Sequence, residues 1–218
     1  TGIEDVQRAG AEKELRILRP NALLKKLHDK GIYVIGRVTV FQDPILADAH
    51  PEWALKNASS GLLWRDRKGL AWLDPAAKGV WDYHVAIAKD AFARGFDEVN
   101  FDYIRFPSDG DLSTINYPFW DEVTFQADVI AEFAKYLRKE LKGRKISADI
   151  FGLVTVDTTG LGIGQHLERL APHFDYLMPM VYPSHYAPGF IGFANPAENP
   201  HEVVLYSMEH AIARLVAY

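Results

Sequence analysis

Apolar positions along the chain change period several times, and each change predicts an element. In residues 21–31, NALLKKLHDKG, Leu23, Leu24 and Leu27 recur at helical spacing and Gly31 follows as a stop, which predicts a helix. Residues 32–41 form a mostly apolar run and predict a strand. Residues 42–78 hold Pro44, Pro51, Gly61, Gly69 and Pro75 among short apolar pieces, so a long, partly ordered loop is expected there. Helical periodicity returns over residues 79–94 through Val80, Tyr83, Ile87, Ala91 and Phe92, closed by Gly95. FDEVNFDYIRFP, residues 96–107, then reads as a strand.

The unit repeats. A loop over residues 108–118 leads to an amphipathic helix through Phe125, Val129, Ile130, Phe133 and Leu137, ending at Gly143. A strand over 145–151, a glycine-rich loop, a short helix near 165–171 and a strand over 176–182 follow. Helices alternating with near-continuous apolar strands predict a parallel sheet covered by helices. The strand-to-helix loops are long and rich in Asp, Tyr, Trp and His, which is expected when a site lies at the carboxyl ends of the strands. No strand is followed by GxGxxG or GxxxxGK[ST], and Gly162 and Gly164 match a phosphate loop only weakly. A (β/α)8 TIM-type barrel is therefore favoured over a nucleotide fold. Only four strands are clear, and a complete barrel takes about 250 residues, so residues 1–218 are expected to be one barrel domain, incomplete at both ends.

Composition narrows the partners. The 218 residues are 48% hydrophobic with a net charge of −5, and no basic stripe offers the phosphate-neutralising surface that nucleic acid requires. Without cysteine there is no disulfide, thiol nucleophile or thiolate metal site. No run approaches the roughly 18 apolar residues of a membrane span. The chain starts at Thr1 without a charged and apolar leader, and the missing Met suggests a trimmed or partial chain. Trp53, Trp64, Trp72, Trp81 and Trp120 could stack on sugar faces, although most are expected in the core or at its rim.

Asp102 is the residue that asks for an explanation, because a carboxylate in an apolar strand is costly unless it is paired or hydrogen-bonded. Strand alternation puts Asn100, Asp102 and Ile104 on one face and Val99, Phe101, Tyr103 and Arg105 on the other. In the next strands Ser147, Asp149 and Phe151 form one set, and Met178, Met180 and Tyr182 another. Asp102 and Asp149 are thus the best carboxylate pair for glycoside hydrolysis, which needs one acid and one ionised partner. The alternative is two structural acceptors at strand ends. Arg37 and Arg105 could pair with these acids or grip an anionic group. Trp72 beside Asp74 is either a stacking platform with an acceptor or a buried turn anchor. Neither HxH, HExxH nor GxSxG occurs, and the Glu198 to His201 spacing is weak, so no metal, cofactor or serine nucleophile is expected.

Six motifs carry a resemblance: GRVTVFQDP (36–44), GLAWLDP (69–75), GFDEVNFDYIRFPSDG (95–110), SADIFG (147–152), GIGQ (162–165) and MVYPSHY (180–186). In this order and spacing the chain resembles a bacterial and archaeal family of glycosyl hydrolase-type domains of unknown function, related to the alpha-amylase-type barrels. The resemblance implies a (β/α)8 barrel of which this chain is roughly strands three to six. An opening strand pair, an RPWLQDF-like strand and a WN-containing strand are not in the sequence. Alpha-amylase-type enzymes carry a nucleophilic Asp at the end of strand four and a general acid on strand five, which match Asp102 and Asp149. That acid is normally Glu, and Asn100 stands where an arginine usually precedes the nucleophile. Chitinase-like barrels carry DxxDxDxE and MxY; Asp97, Asn100, Asp102, Met180 and Tyr182 track these, but Ile104 replaces the Glu and excludes that mechanism.

A carbohydrate-active hydrolase is therefore expected, with Asp102 as nucleophile or stabiliser and Asp149 as acid/base. The substrate would be lined by Arg37, Asp43, Trp72, Asp74, Asn100, Tyr103, Arg105, Gln165, Tyr182, His185 and Tyr186. The alternatives are a barrel that binds polysaccharide without cutting it and, more weakly, a deacetylase or epimerase. The resemblance favours an exported or envelope-associated protein.

Overall fold

The computed structural model describes residues 3–10 and 17–218. A short helix α1 (Glu4–Ala9) and α2 (Pro20–His28), which has Pro20 at its first position, precede strand β1 (Ile35–Thr39). The expected loop then holds a helix, α3 (Pro44–Ala49), because Asp43 caps it: its Oδ1 accepts from the backbone N–H of Ile45 and Leu46, both at 3.0 Å. Strand β2 (Lys56–Asn57), helix α4 (Lys78–Arg94) and strand β3 (Glu98–Asp102) follow. Gly95 ends α4 at φ 103, a conformation that costs glycine little. Strand β4 (Ile115–Asn116) pairs antiparallel with β2, tying together the loops that follow β1 and β3. Helix α5 (Gln126–Glu140), strand β5 (Lys145–Phe151), helix α6 (Leu167–Leu170), strand β6 (Tyr176–Met180) and helix α7 (Pro200–Ala217) complete the chain.

The fold is mixed α/β, built on a four-stranded parallel sheet in the order β1-β3-β5-β6. One face is apolar. Val38, Val99, Phe101, Ile146, Ala148 and Ile150 point to a core in which Phe41 meets Phe133 at 5.1 Å and Trp81 meets Phe133 at 5.6 Å between ring centroids. On α5, Ile130, Phe133 and Leu137 are fully buried, as their helical spacing requires. The other face is polar, carrying Arg37, Glu98, Asn100, Asp102, Ser147 and Asp149. Among the described residues, no helix is long and apolar enough to cross a membrane.

The strand expected over 96–107 stops at Asp102, because Tyr103 takes a left-handed conformation with φ 54. Such backbone is unfavourable for a residue with a Cβ and breaks the two-residue alternation. Ile104 is consequently buried in the core, while Tyr103 and Arg105 reach the same open space as Asp102. The face assignment expected for these three residues is corrected by that single turn.

Two aspartates clamp the opposite ends of the strands. Just before β3, Asp97 accepts the Val34 N–H at 2.7 Å and contacts His28 at 2.9 Å; just before β6, Asp175 accepts the Ile146 N–H at 2.9 Å and the Arg138 guanidinium at 2.7 Å. The Val34 N–H, followed by His28, holds the Asp97 pKa below its ordinary 3.8. For Asp175, burial acts upward but Arg138 and the Ile146 N–H outweigh it, so its pKa is also lowered. Groups with depressed pKa stabilise the fold fully above their unfolded value and lose that stabilisation as pH falls through the folded one. Asp97→Asn and Asp175→Asn should each lower stability at neutral pH and flatten the acid limb below about pH 4, read by urea titration across pH. Asp43→Ala should cost about 1 kcal/mol through loss of the α3 cap, and Phe133→Ala about 3–5 kcal/mol through a core cavity, both read by the same titration at neutral pH.

Candidate active site

The polar face gathers its charges at the carboxyl ends of the strands. Asp102 is the last residue of β3, and Asp149 lies on the neighbouring β5 with its side chain on the same face. Arg37, from β1 on the other side of β3, reaches both: its Nη2 donates to Asp102 Oδ2 and its Nε donates to Asp149 Oδ2 at 3.5 Å. The Asp102 side chain is 4% exposed and that of Arg37 58%. Exposed cations give little net stability, so what Arg37 supplies is a counter-charge for a carboxylate that water scarcely reaches. Asp102 Oδ1 also accepts the Tyr103 N–H at 2.6 Å, a bond that the left-handed turn accompanies.

Below these acids runs a chain of polar contacts. Asn100 Nδ2 donates to Asp149 Oδ1 at 3.1 Å and to Ser147 Oγ at 3.2 Å, Ser147 donates to Glu98, and Tyr33 donates to Glu98 at 2.9 Å. Asn100, Ser147 and Glu98 are all buried. Asn100 occupies the position where the resemblance leads one to expect an arginine beside Asp102; the guanidinium that meets Asp102 comes from β1 instead.

Above them opens a cleft of about 410 Å³. It is lined by Arg37, Asp102, Tyr103 and Arg105, by Phe151 at the end of β5 with Gly152 and Leu153 after it, and by Met180 at the end of β6 with Tyr182, His185 and Tyr186 after it. Tyr182 is 53% exposed and tilts against His185 at 5.4 Å, giving an aromatic wall. Gly152 is required here, since a Cβ on it would stand 2.6 Å from the Tyr186 hydroxyl and 2.7 Å from the Met180 carbonyl. Helix α7 backs the segments that follow β5 and β6: Ser207 hydrogen-bonds Tyr186 at 3.2 Å, and Arg214 donates to the Val154 carbonyl at 2.7 Å while pairing with Glu168. Burial raises the Tyr186 pKa. Arg214, acting against the effect of burial, lowers that of Glu168.

The structure thus brings Arg37, Asp102, Tyr103, Arg105, Tyr182, His185 and Tyr186 to one cleft. Asn100, Asp149 and Gln165 lie one layer beneath, where Gln165 accepts the Phe151 N–H at 2.8 Å and donates to the Asp149 carbonyl at 3.4 Å. Three expected lining residues belong elsewhere. Asp43 caps α3. Trp72 is 2% exposed, its indole N–H bound to Asp66 at 3.0 Å, and Asp74 is fully buried, accepting the N–H groups of Ala76, Phe119 and Trp120. Burial raises the Asp74 pKa despite those bonds. Both anchor the long loops, the buried-turn reading of the two their sequence allows. Phe151, Gly152, Leu153 and Met180 were not expected; the shared parity of Phe151 with Asp149, and of Met180 with Met178, is the signal that could have found two of them. Among the described residues no group of three or more His, Asp or Glu side chains is placed to hold a metal ion.

Among solved structures, a hypothetical protein from Ruminiclostridium thermocellum ATCC 27405 is 40% identical, with a TM-score of 0.61 over 68% of this chain and 74% of that one. The glycoside hydrolase domain of PelA from Pseudomonas aeruginosa is 12% identical, with a TM-score of 0.52 over 89% of this chain and 68% of that one, a likeness of fold. A noncanonic maltogenic alpha-amylase, AmyB from Thermotoga neapolitana, is 16% identical with a TM-score of 0.45, over 72% of this chain and 30% of that one. No curated protein matches the sequence. The family described as "Putative glycosyl hydrolase domain" matches residues 1–217, and it is to this family that the chain belongs.

Proposed function

We propose that the chain contributes four neighbouring parallel strands of a single (β/α)8 barrel domain and hydrolyses glycosidic bonds of a polysaccharide or oligosaccharide. The observation that carries this reading is Arg37 spanning Asp102 and Asp149 near the carboxyl ends of adjacent strands, beside an aromatic-walled cleft that Arg37 and Asp102 line. Asp102, which lines the cleft, is the nucleophile or charge stabiliser at the anomeric carbon. Two donors, Arg37 and the Tyr103 N–H, address its oxygens and suit an anion. Asp149 delivers a proton to the leaving oxygen and then activates water, oriented for this by Asn100. Arg37 is the most exposed of the three, so substrate entering the cleft meets it before Asp149. Tyr182, His185 and Tyr186 supply stacking and hydrogen bonds to the sugar. A polymeric substrate fits an exported or envelope-associated location.

One observation favours a second reading, a barrel that holds polysaccharide without cutting it: Arg37 engages both acids, and Asp149 does not itself line the cleft. Reducing-end release from a panel of polysaccharides, run beside binding measurements, separates the two. Under the hydrolase reading Asp102→Asn abolishes cleavage, a loss of about 10³-fold or more, with the circular dichroism spectrum unchanged; unaltered turnover would sink the assignment. Asp149→Asn should slow cleavage of unactivated glycosides strongly, yet much less that of aryl glycosides whose leaving groups need no proton. Binding across the panel without any cleavage by the unaltered protein would establish the second reading.

A further inference from the structure

Arg105 is the cleft charge without a counter-ion. It is 7% exposed, and among the described residues no carboxylate pairs with it. Its guanidinium carbon lies 4.9 Å from the Trp72 ring centroid, 5.1 Å from that of Tyr103 and 4.7 Å from that of Phe151. Nη1 donates to the Phe106 carbonyl and to Ser108 Oγ, both at 3.1 Å. Nε and Nη2 make no hydrogen bond among the described residues, and neither is sealed from solvent. Three rings and two bonds therefore fix the fork, and its free edge belongs to a residue that lines the cleft.

Among the described residues no nearby acid forms a direct ion pair with it. Asp66 and Asp109 attract the charge at longer range, but Asp66 is spent on Gln42, Trp72 and the N–H groups of Lys68 and Leu70, and Asp109 accepts from Arg67 N. Ring faces offset only part of the cost of burying a cation. Arg37, the other guanidinium of the cleft, is exposed and already matched by Asp102. A rigid, unmatched cation with two parallel N–H donors is built to receive a planar or tetrahedral anion in bidentate fashion. Neutral hydroxyls would fill the donors and leave the charge unbalanced.

We propose that the sugar bound in this cleft carries an anionic substituent, a uronate carboxylate or a sulfate ester, received by the Nε and Nη2 edge of Arg105. The inference deepens the carbohydrate reading above and rests on it. The test uses polymer pairs that differ in charge: polygalacturonate, alginate and hyaluronan against their carboxyl-reduced forms, and dextran sulfate against dextran. Binding to the full chain is followed by calorimetry and cleavage by reducing-end release. At least one anionic polymer should bind about tenfold or more tightly than its neutral partner, and the uronate and sulfate arms tell the two sources apart. Arg105→Gln should remove the difference and Arg105→Lys retain part of it, with folding checked by circular dichroism. On the unaltered protein, galacturonate or glucuronate should displace a bound uronate polymer where galactose and glucose do not, and inorganic sulfate should displace a sulfated one. This arm stands even if a variant fails to fold. Preference for neutral or amino-sugar polymers, binding of no anionic polymer, or a folded Arg105→Gln that keeps the full preference would overturn the inference. Cleavage of neutral polymers alone would refute it and leave the hydrolase reading intact, whereas anionic binding without cleavage would do the reverse.

Discussion

The site depends on how a parallel sheet can carry acids on a face that is only partly open to water. Glu98, Asn100 and Asp102 follow one another up β3, all buried, and Ser147 and Asp149 stand beside them on β5. Each acid is answered in turn: Glu98 by Tyr33 and Ser147, Asp149 by Asn100 and Arg37, Asp102 by Arg37 and the Tyr103 N–H. Removing a member leaves a buried polar group without its partner, and that penalty exceeds the net worth of the bond itself. The ladder therefore holds the two upper carboxylates in place while also stitching β1, β3 and β5 together.

The two ends of the sheet are built for different purposes. At the amino ends, Asp97 and Asp175 spend their oxygens on backbone N–H groups of the neighbouring segment and thereby lock strand to strand. At the carboxyl ends, side chains reach past the backbone into a cleft walled by loops. Those loops are held from behind, by the β2–β4 pairing, by the buried Asp74 and by α7 through Ser207 and Arg214. A stabilising end opposite an end that opens into a cleft is the division expected of parallel α/β architectures.

Much of the polar face was legible from period. Two-residue alternation put Asn100 and Asp102 on one face and Ser147 and Asp149 on a matching one, and both relations hold in the sheet. Arg37, Tyr182, His185 and Tyr186 were singled out from motifs near strand ends and do line one cleft. Trp72 and Asp74 left two readings open because a large aromatic beside an acid looks the same in sequence whether it faces a sugar or anchors a turn; burial is what separates the two, and burial is not local. Helix α7 is not legible in the sequence, since residues 200–217 are apolar on several sides, with only Val203, Ser207 and Ala211 buried, so no clean helical stripe marks it.

By itself, then, the sequence determined the alternation of helix and strand, the parallel sheet, and which acids share a face, because these follow from the periodicity of apolar residues and from where glycine and proline break it. Only the tertiary structure decided which cation meets which carboxylate. Arg37 is far from Asp102 and Asp149 along the chain, and their meeting depends on β1 and β5 flanking β3 in register. It also decided the fate of Arg105. One left-handed residue, Tyr103, turns the chain off the strand and delivers that guanidinium to three rings contributed by separate segments. Side-chain partnership across a sheet is a property of strand order and backbone twist, and neither is written in the local pattern of residues.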